Sequence, residues 1–347
     1  MTLRPQAEAC YLCRMVVRRG ALRMHVELFN EANSERWDRF VQDAPMTTLL
    51  HTRRFLSYHG DRFQDVSVLL TDDRGELRAV LPAALDGADP ARVVSHPGVT
   101  YGGLVHDGRL TGDRARDALL DVARHYARSG KRILRYKPVP YIYHRWPSAD
   151  DIWALTELGA VRVGCDLSCA IDLAARRKPS TRRARSLAKA QRAGVEVSES
   201  RGLADFWPVL ESTLERRHSV RPVHSLEEID LLRARSPNEI RLVVASLAAR
   251  VVAGSVLFMT PTVAHTQYMA ASDDGMRVGA LDAVLEQAIE LAAEAGARYF
   301  DFGISPGEDR RGLNSGLYRF KAEFGGGGVV HEHYELALDG YQLSSSA

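Results

Sequence analysis

The chain has 347 residues, 45% of them hydrophobic and 26% charged, with a formal net charge of +2. That balance excludes a disordered chain and a general nucleic-acid binder, and the length exceeds what one hydrophobic core usually supports, so two domains are expected. No run approaches the roughly 20 apolar residues that span a bilayer, and the N-terminus holds no continuous apolar signal core, so the expected location is cytoplasmic.

Cys10 and Cys13 form a CxxC near the start. No second ligand pair stands at zinc spacing and no βαβ pattern follows, so the pair is read as fortuitous and no metal is assigned. Met15 and Met24 are alternative starts, and residues 1–24 are taken as an extension outside the fold. A hairpin is expected in "VSVLLTDDRGELRAVLPAAL" from Val66, turning at Asp-Arg-Gly, and a strand in "VTYGGLV" from Val99. From Arg114 an amphipathic helix carries Leu119, Val122, Ala123 and Tyr126 on one stripe and ends at Gly130, a residue suited to the left-handed cap; an extended run, Arg132 to Tyr136, follows. Cys165 and Cys169 flank a strand-like run and are expected to be buried small residues.

The same plan then returns. A hairpin in "IRLVVASLAARVVAGSVLFMTP" from Ile240 leads to a strand in "AHTQYMAAS" from Ala264. A helix with Leu281, Val284, Leu285, Ala288 and Ala292 on one face ends at Gly296, and Arg298 to Phe302 is extended. Hairpin, strand, helix and strand in each half predict an α/β protein of two similar domains, each a mixed central sheet flanked by helices. The polar segment Ala174 to Ser180 is the expected linker, separating residues 25–173 from residues 174–347. His51, His96, His218 and His224 show no metal spacing.

The runs "YMAASDDGMRVGALDAVLEQAIELAAEAGARYFDFGIS" and "GLYRFKAEFGG" resemble the C-terminal half of FemABX-like aminoacyltransferases, which lie within the wider GCN5-related N-acetyltransferase (GNAT) fold. "RRARSLAKAQRAGVEV" resembles the basic helix with which their second domain begins, while "LLHTRRFLSYHG" and "SHPGVTYGGLV" resemble segments of the first. The resemblance runs from Trp37 to Glu335 and implies two tandem GNAT-like domains, the first on the acceptor-binding side and the second holding the transfer site. It implies transfer of an aminoacyl group from charged tRNA to an amine, often on a peptidoglycan precursor, with no cofactor beyond that co-substrate. Two departures stand out. No heptad run marks a coiled-coil arm between Arg182 and Arg241, and the acyl-CoA loop pattern [QR]-x-x-G-x-[GA] is only half matched by Gly275-Met-Arg-Val-Gly279-Ala280-Leu281. An acetyl-CoA-dependent N-acetyltransferase is therefore the alternative, with Arg277 placed to meet a phosphate at the following helix N-terminus. A non-catalytic binding protein on the same fold is the second alternative.

Attack of an amine on an ester passes through an oxyanion, which needs a cation or N–H donors aimed at it. The resemblance assigns that cation to Lys321, beside Phe320. On a helix starting near Asn314 or Ser315, Leu313, Leu317, Phe320 and Phe324 share a stripe, with Lys321 at its margin and Arg319 and Glu323 pointing away. From position alone, Lys321 either faces a cavity or lays its stem across the core with its ammonium in water. Asp301, in "YFDFG", either holds the lysine's charge or caps the turn at Gly303; Glu308 and Asp309 are weaker candidates. In the helix over 180–193, Arg182, Arg185 and Lys189 share one face, either for the phosphates of a tRNA or diphosphate-linked acceptor or simply as a solvated face. Tyr268 and Tyr101 occupy similar places in the two halves, where a hydroxyl either positions the acceptor and relays a proton or is half-buried structure.

Overall fold

Alternating apolar patterns and glycine punctuation organise the chain into fourteen strands and ten helices among the described residues. The computed structural model describes residues 23–341, except 201, 219 and 308–311. Cys10, Cys13, Met15, Glu308 and Asp309 therefore lie outside the described residues.

The first half contains β1 (His25–Leu28), α1 (Ser34–Asp43), α2 (Arg53–Leu56), β2 (Val68–Thr71), β3 (Leu77–Leu81), β4 (Ala84–Leu85), β5 (Arg92–Val94), β6 (Val105–His106), α3 (Asp113–Arg128), β7 (Ile133–Tyr136), α4 (Asp150–Glu157) and β8 (Val161–Asp172). The second contains α5 (Thr181–Arg192), β9 (Glu196–Ser200), α6 (Trp207–His218), α7 (Leu226–Arg235), β10 (Ile240–Leu247), β11 (Arg250–Met259), β12 (Val263–Ala271), α8 (Asp273–Val278), α9 (Ala280–Glu294), β13 (Tyr299–Ile304), α10 (Ser315–Ala322) and β14 (Gly327–Ala337).

The repeated unit is present in both halves: β2 and β3 form a hairpin before β6, α3 and β7, as β10 and β11 do before β12, α9 and β13. Both helices end as their glycines require, with Gly130 at φ 77° and Gly296 at φ 80°, a region that side chains with a Cβ avoid. Their apolar stripes are fully covered; Leu119, Val122 and Ala123 on α3 and Val284, Leu285 and Ala288 on α9 have no exposed surface. One expected strand is absent: of "VTYGGLV" only Val105 is in a strand, because Gly102 and Gly103 turn the backbone, Gly103 at φ 75° and Gly102 within contact of the Ser95 carbonyl. Cys169 is buried as expected, but Cys165 is exposed, since β8 turns that position to solvent.

Four strands form one sheet, in the order β1-β2-β3-β6; the other ten form a continuous sheet, β4-β5-β7-β14-β8-β13-β12-β11-β10-β9. The halves exchange strands at its centre. β14, from the C-terminal end, lies between β7 and β8, and β8 lies between β14 and β13. A shared apolar cluster reinforces this seam, with Leu49, Phe55 and Tyr58 of the first half packed among Phe206, Val256 and Phe258 of the second. The Phe55 and Phe258 rings meet edge to face at 6.0 Å. Among the described residues, no helix is long and apolar enough to cross a membrane.

Candidate active site at a fork in the sheet

β12 and β13 run parallel and pair over only three positions, Val263 with Tyr299, Ala264 with Phe300 and His265 with Asp301. Beyond His265 they diverge. β12 bulges at Gln267, where the register with β11 shifts between Thr266 and Tyr268, and β13 breaks its register with β8 after Asp301, with Gly303 at φ 74°. Bulges bend a strand and raise its twist, so two of them facing each other open the sheet into a fork. A cavity of about 470 Å³ fills it, bounded by β12, β13, β14 and α10 of the second half and by Val99, Thr100 and Lys137 of the first.

Lys321 lines this cavity at 2% exposure and is the buried residue of α10. The stripe read from the sequence is thus corrected: Leu313 is 41% exposed, and Lys321, expected at the margin, takes the interior position. Its ammonium donates to the carbonyls of Gly303 at 2.9 Å and Ile304 at 2.7 Å, the groups freed where β13 leaves the ladder. Burial lowers its pKa to about 8, against the opposing charge of Asp301. It is not a solvated surface lysine.

Asp301 has no exposed surface. Its Oδ1 accepts from the Gly303 amide at 2.9 Å and from the Ser168 hydroxyl; its Oδ2 accepts from the Tyr143 hydroxyl at 2.6 Å and lies 3.1 Å from His265 Nδ1. Burial opposes its ionisation, but the hydrogen bonds it receives, from His265 first and from Ser168, hold the carboxyl well below the usual range. The two sequence readings of Asp301 thus coexist: it caps the turn at Gly303 and acts on Lys321 through its charge, without a hydrogen bond to it.

Tyr268 lines the cavity, its hydroxyl 2.6 Å from His224 Nδ1 and accepting from the His224 amide at 3.1 Å. Burial raises its pKa, which makes it a poor acid at neutral pH. Tyr101 does not share that position. It is 4% exposed and absent from the cavity lining, its ring packed on that of Tyr143 with centroids 4.8 Å apart. Phe320 is not in the cavity lining either; its ring carries the Arg183 guanidinium at 4.7 Å.

On α5, capped by Ser180, the side chains of Arg182, Arg185 and Lys189 are exposed and share a face. Between them Arg183 turns inward to Asp282 at 2.7 Å and Glu323 at 3.2 Å, so Glu323, expected to point away, faces α5 instead. This pins α5 across the first turn of α9. A Cβ on Gly279 would stand 2.6 Å from the Ser186 carbonyl. Of the half-matched acyl-CoA stretch, Gly275 to Val278 are folded in α8, capped by Ser272, while Ala280 and Leu281 open α9; Arg277 pairs with Asp274.

Sequence reading missed Lys137, Tyr143, Ser168, His265, Thr266 and His331. The last two line the cavity with side-chain atoms that have no hydrogen-bond partner among the described residues, Thr266 Oγ1 and both His331 ring nitrogens. Burial lowers the His331 pKa to about 4, so its ring is neutral. A usable signal existed for one of them: His265 interrupts an apolar strand pattern, as Asp301 does in the strand with which it pairs. Among the described residues no cluster of metal-ligating side chains occurs.

Residues 174–322 match the family described as acetyltransferase (GNAT) domain. No curated protein matches the sequence. The crystal structure of FemX aligns over 93% of this chain and 100% of its own at a TM-score of 0.65 and 15% identity. L-PGS from Bacillus licheniformis aligns over 88% and 91% with a TM-score of 0.60 and 12% identity. A tandem GNAT protein from the clavulanic acid biosynthesis pathway covers 91% and 98% at a TM-score of 0.52 and 11% identity. The tandem GNAT fold read from the sequence is the fold this chain has.

Proposed function

We propose that this chain, an acyltransferase of the tandem GNAT fold, moves an aminoacyl group from charged tRNA to an amine of a peptidoglycan precursor or another small acceptor. The observation that carries the reading is Lys321, buried at the fork with its ammonium anchored by two backbone carbonyls and its side chain in the cavity wall. A fixed cation in a dry site is what the oxyanion of ester aminolysis needs, and its fixed hydrogen bonds leave little reorganisation for the moment of reaction.

The choice of donor rests on α9. An acyl-CoA pyrophosphate needs open backbone N–H groups at a helix N-terminus. Here α5 lies against Gly279, and the Asp282 carboxylate, paired with Arg183, occupies the first turn. The outer face of the same helix offers Arg182, Arg185 and Lys189 to the phosphates of a tRNA. The acceptor occupies the cavity, which Lys137 and Thr100 of the first half and Tyr268 of the second line. Charged tRNA is a cytoplasmic donor, so the reading places the protein in the cytoplasm.

The test is thermal-shift titration with bulk charged tRNA, uncharged tRNA and acetyl-CoA, followed by transfer of labelled amino acids to a lysine-containing pentapeptide. Stabilisation by charged tRNA together with labelled product is the expected result. Stabilisation and transfer with acetyl-CoA alone overturns the choice of donor.

A further inference from the structure

We propose that His265 is the general base of the transfer reaction, oriented by Asp301. The inference rests on acyl transfer at the fork, but not on which donor supplies the acyl group.

His265 and Asp301 face each other at the last paired position of β12 and β13, just before the strands separate. The imidazole Nδ1 lies 3.1 Å from Asp301 Oδ2, and the Tyr143 hydroxyl donates to the same oxygen from 2.6 Å. With the Tyr143 proton committed there, Nδ1–H is the donor that completes the carboxylate's shell. That tautomer leaves the lone pair on Nε2. The ring lines the cavity, its side chain is 14% exposed, and Nε2 has no hydrogen-bond partner among the described residues. A base oriented through its other nitrogen by a buried carboxylate is the arrangement that proton abstraction requires.

The other cavity groups suit the task less well. The Lys321 ammonium is spent on two carbonyls, the Tyr268 hydroxyl is engaged by His224, and His331 has no carboxylate to orient it. His333 pairs with Asp166 at 3.2 Å, but that pair is solvated, with side chains 26% and 31% exposed against 14% and 0% for His265 and Asp301. Cation and base also flank one residue. Lys321 binds the Gly303 carbonyl, while a Cβ on Gly303 would stand 3.1 Å from His265 Cε1. One ester carbon held over Gly303 therefore meets both. As the neutral amine attacks, the C–N bond forms, the carbonyl electron pair moves to the oxygen facing Lys321, and His265 Nε2 takes a proton from nitrogen. Collapse of the oxyanion then breaks the C–O bond to ribose, or the C–S bond of a thioester donor, and the proton on Nε2 passes to the leaving oxygen or sulfur, so the imidazole returns to neutral and an amide and an alcohol or thiol are released.

The experiment compares wild type, His265→Ala, His265→Gln, Asp301→Asn and His25→Gln, with charged tRNA or acetyl-CoA as donor and the lysine-containing pentapeptide as acceptor amine. Loss of a general base predicts a drop in kcat of about 10²- to 10⁴-fold in both His265 variants, partial restoration of His265→Ala by added imidazole, and a kcat loss at unchanged KM in Asp301→Asn. His25→Gln, at an exposed histidine outside the cavity lining, should stay within about threefold of wild type. Diethyl pyrocarbonate mapping of the full-length wild type supplies a readout independent of turnover, with His265 expected to be modified. Turnover by His265→Ala within threefold of an active wild type, or a His265 that stays unmodified while exposed His25 reacts, overturns the assignment of the base alone. A wild type that transfers from neither donor overturns the acyl-transfer reading and the base with it.

Discussion

Replacing Lys321 by methionine keeps the length of the side chain and deletes the charge, which makes its burial measurable without any substrate. The folded-state pKa of Lys321 is about 8 against an ordinary 10.5, a depression of 10.5 − 8 = 2.5. At about 1.4 kcal/mol per unit, the native state disfavours the ammonium by about 3 kcal/mol. Below about pH 8 folded and unfolded chains both carry the proton, and the wild type bears that cost in full. Between about pH 8 and 10.5 the unfolded chain still holds a proton the native state has released, so stability rises with pH across this window. The unfolding free energy of wild type minus that of Lys321→Met should therefore be flat below about pH 7 and climb by about 3 kcal/mol by about pH 10.5. Urea unfolding of both proteins across that range is the assay, since titrations common to the two cancel in the difference. Parallel curves would show that the ammonium is solvated and remove the argument for a fixed cation at the fork.

Activity should run the other way: a rate that needs the Lys321 cation falls as pH rises through about 8, and Lys321→Ala should lose about 10²- to 10³-fold in turnover while remaining folded, an expectation that wild-type turnover would refute. Arg183→Ala leaves the buried Asp282 without its partner and should cost about 3 to 5 kcal/mol, read from the denaturant midpoint; a loss below about 1 kcal/mol would mean that α5 is not pinned to α9 by this pair. Gly279→Ala puts a Cβ at φ 80° against the Ser186 carbonyl and should lower the melting temperature by several degrees, an effect an unchanged melting curve would disprove. Neutralising Arg182, Arg185 and Lys189 together should reduce the salt dependence of charged-tRNA binding by about two to three units of slope; an unchanged slope would make their face merely solvated.

Much of the fold is legible in the chain because it depends on short-range periodicity. The stripes of α3 and α9, the glycines that end them and the strands that follow are all local patterns, and their recurrence announces two copies of one unit. Local reading failed where the backbone departs from ideal geometry. "VTYGGLV" alternates well enough for a strand, yet Gly102 and Gly103 turn it into a loop. In α10 the helical wheel ranked Leu313 as core and Lys321 as margin, since it weighs only the helix's own residues. The neighbours decided otherwise: two carbonyls released at the bend of β13 take the ammonium inward.

Of the candidate site, the chain disclosed Lys321, Asp301 and Tyr268, whose motifs are compact. Tyr143, Ser168, His265 and His331 belong to four separate segments that meet only because β8 and β14 cross between the halves. Composition and periodicity by themselves determined a duplicated α/β chain with a basic helix at the start of its second half. Only the tertiary structure decided that the lysine is buried, that a histidine faces the aspartate, and that α5 closes the N-terminus of α9. The reason is that desolvation, ion pairing and the fork of two bulged strands depend on which distant segments come into contact, and no local pattern encodes that.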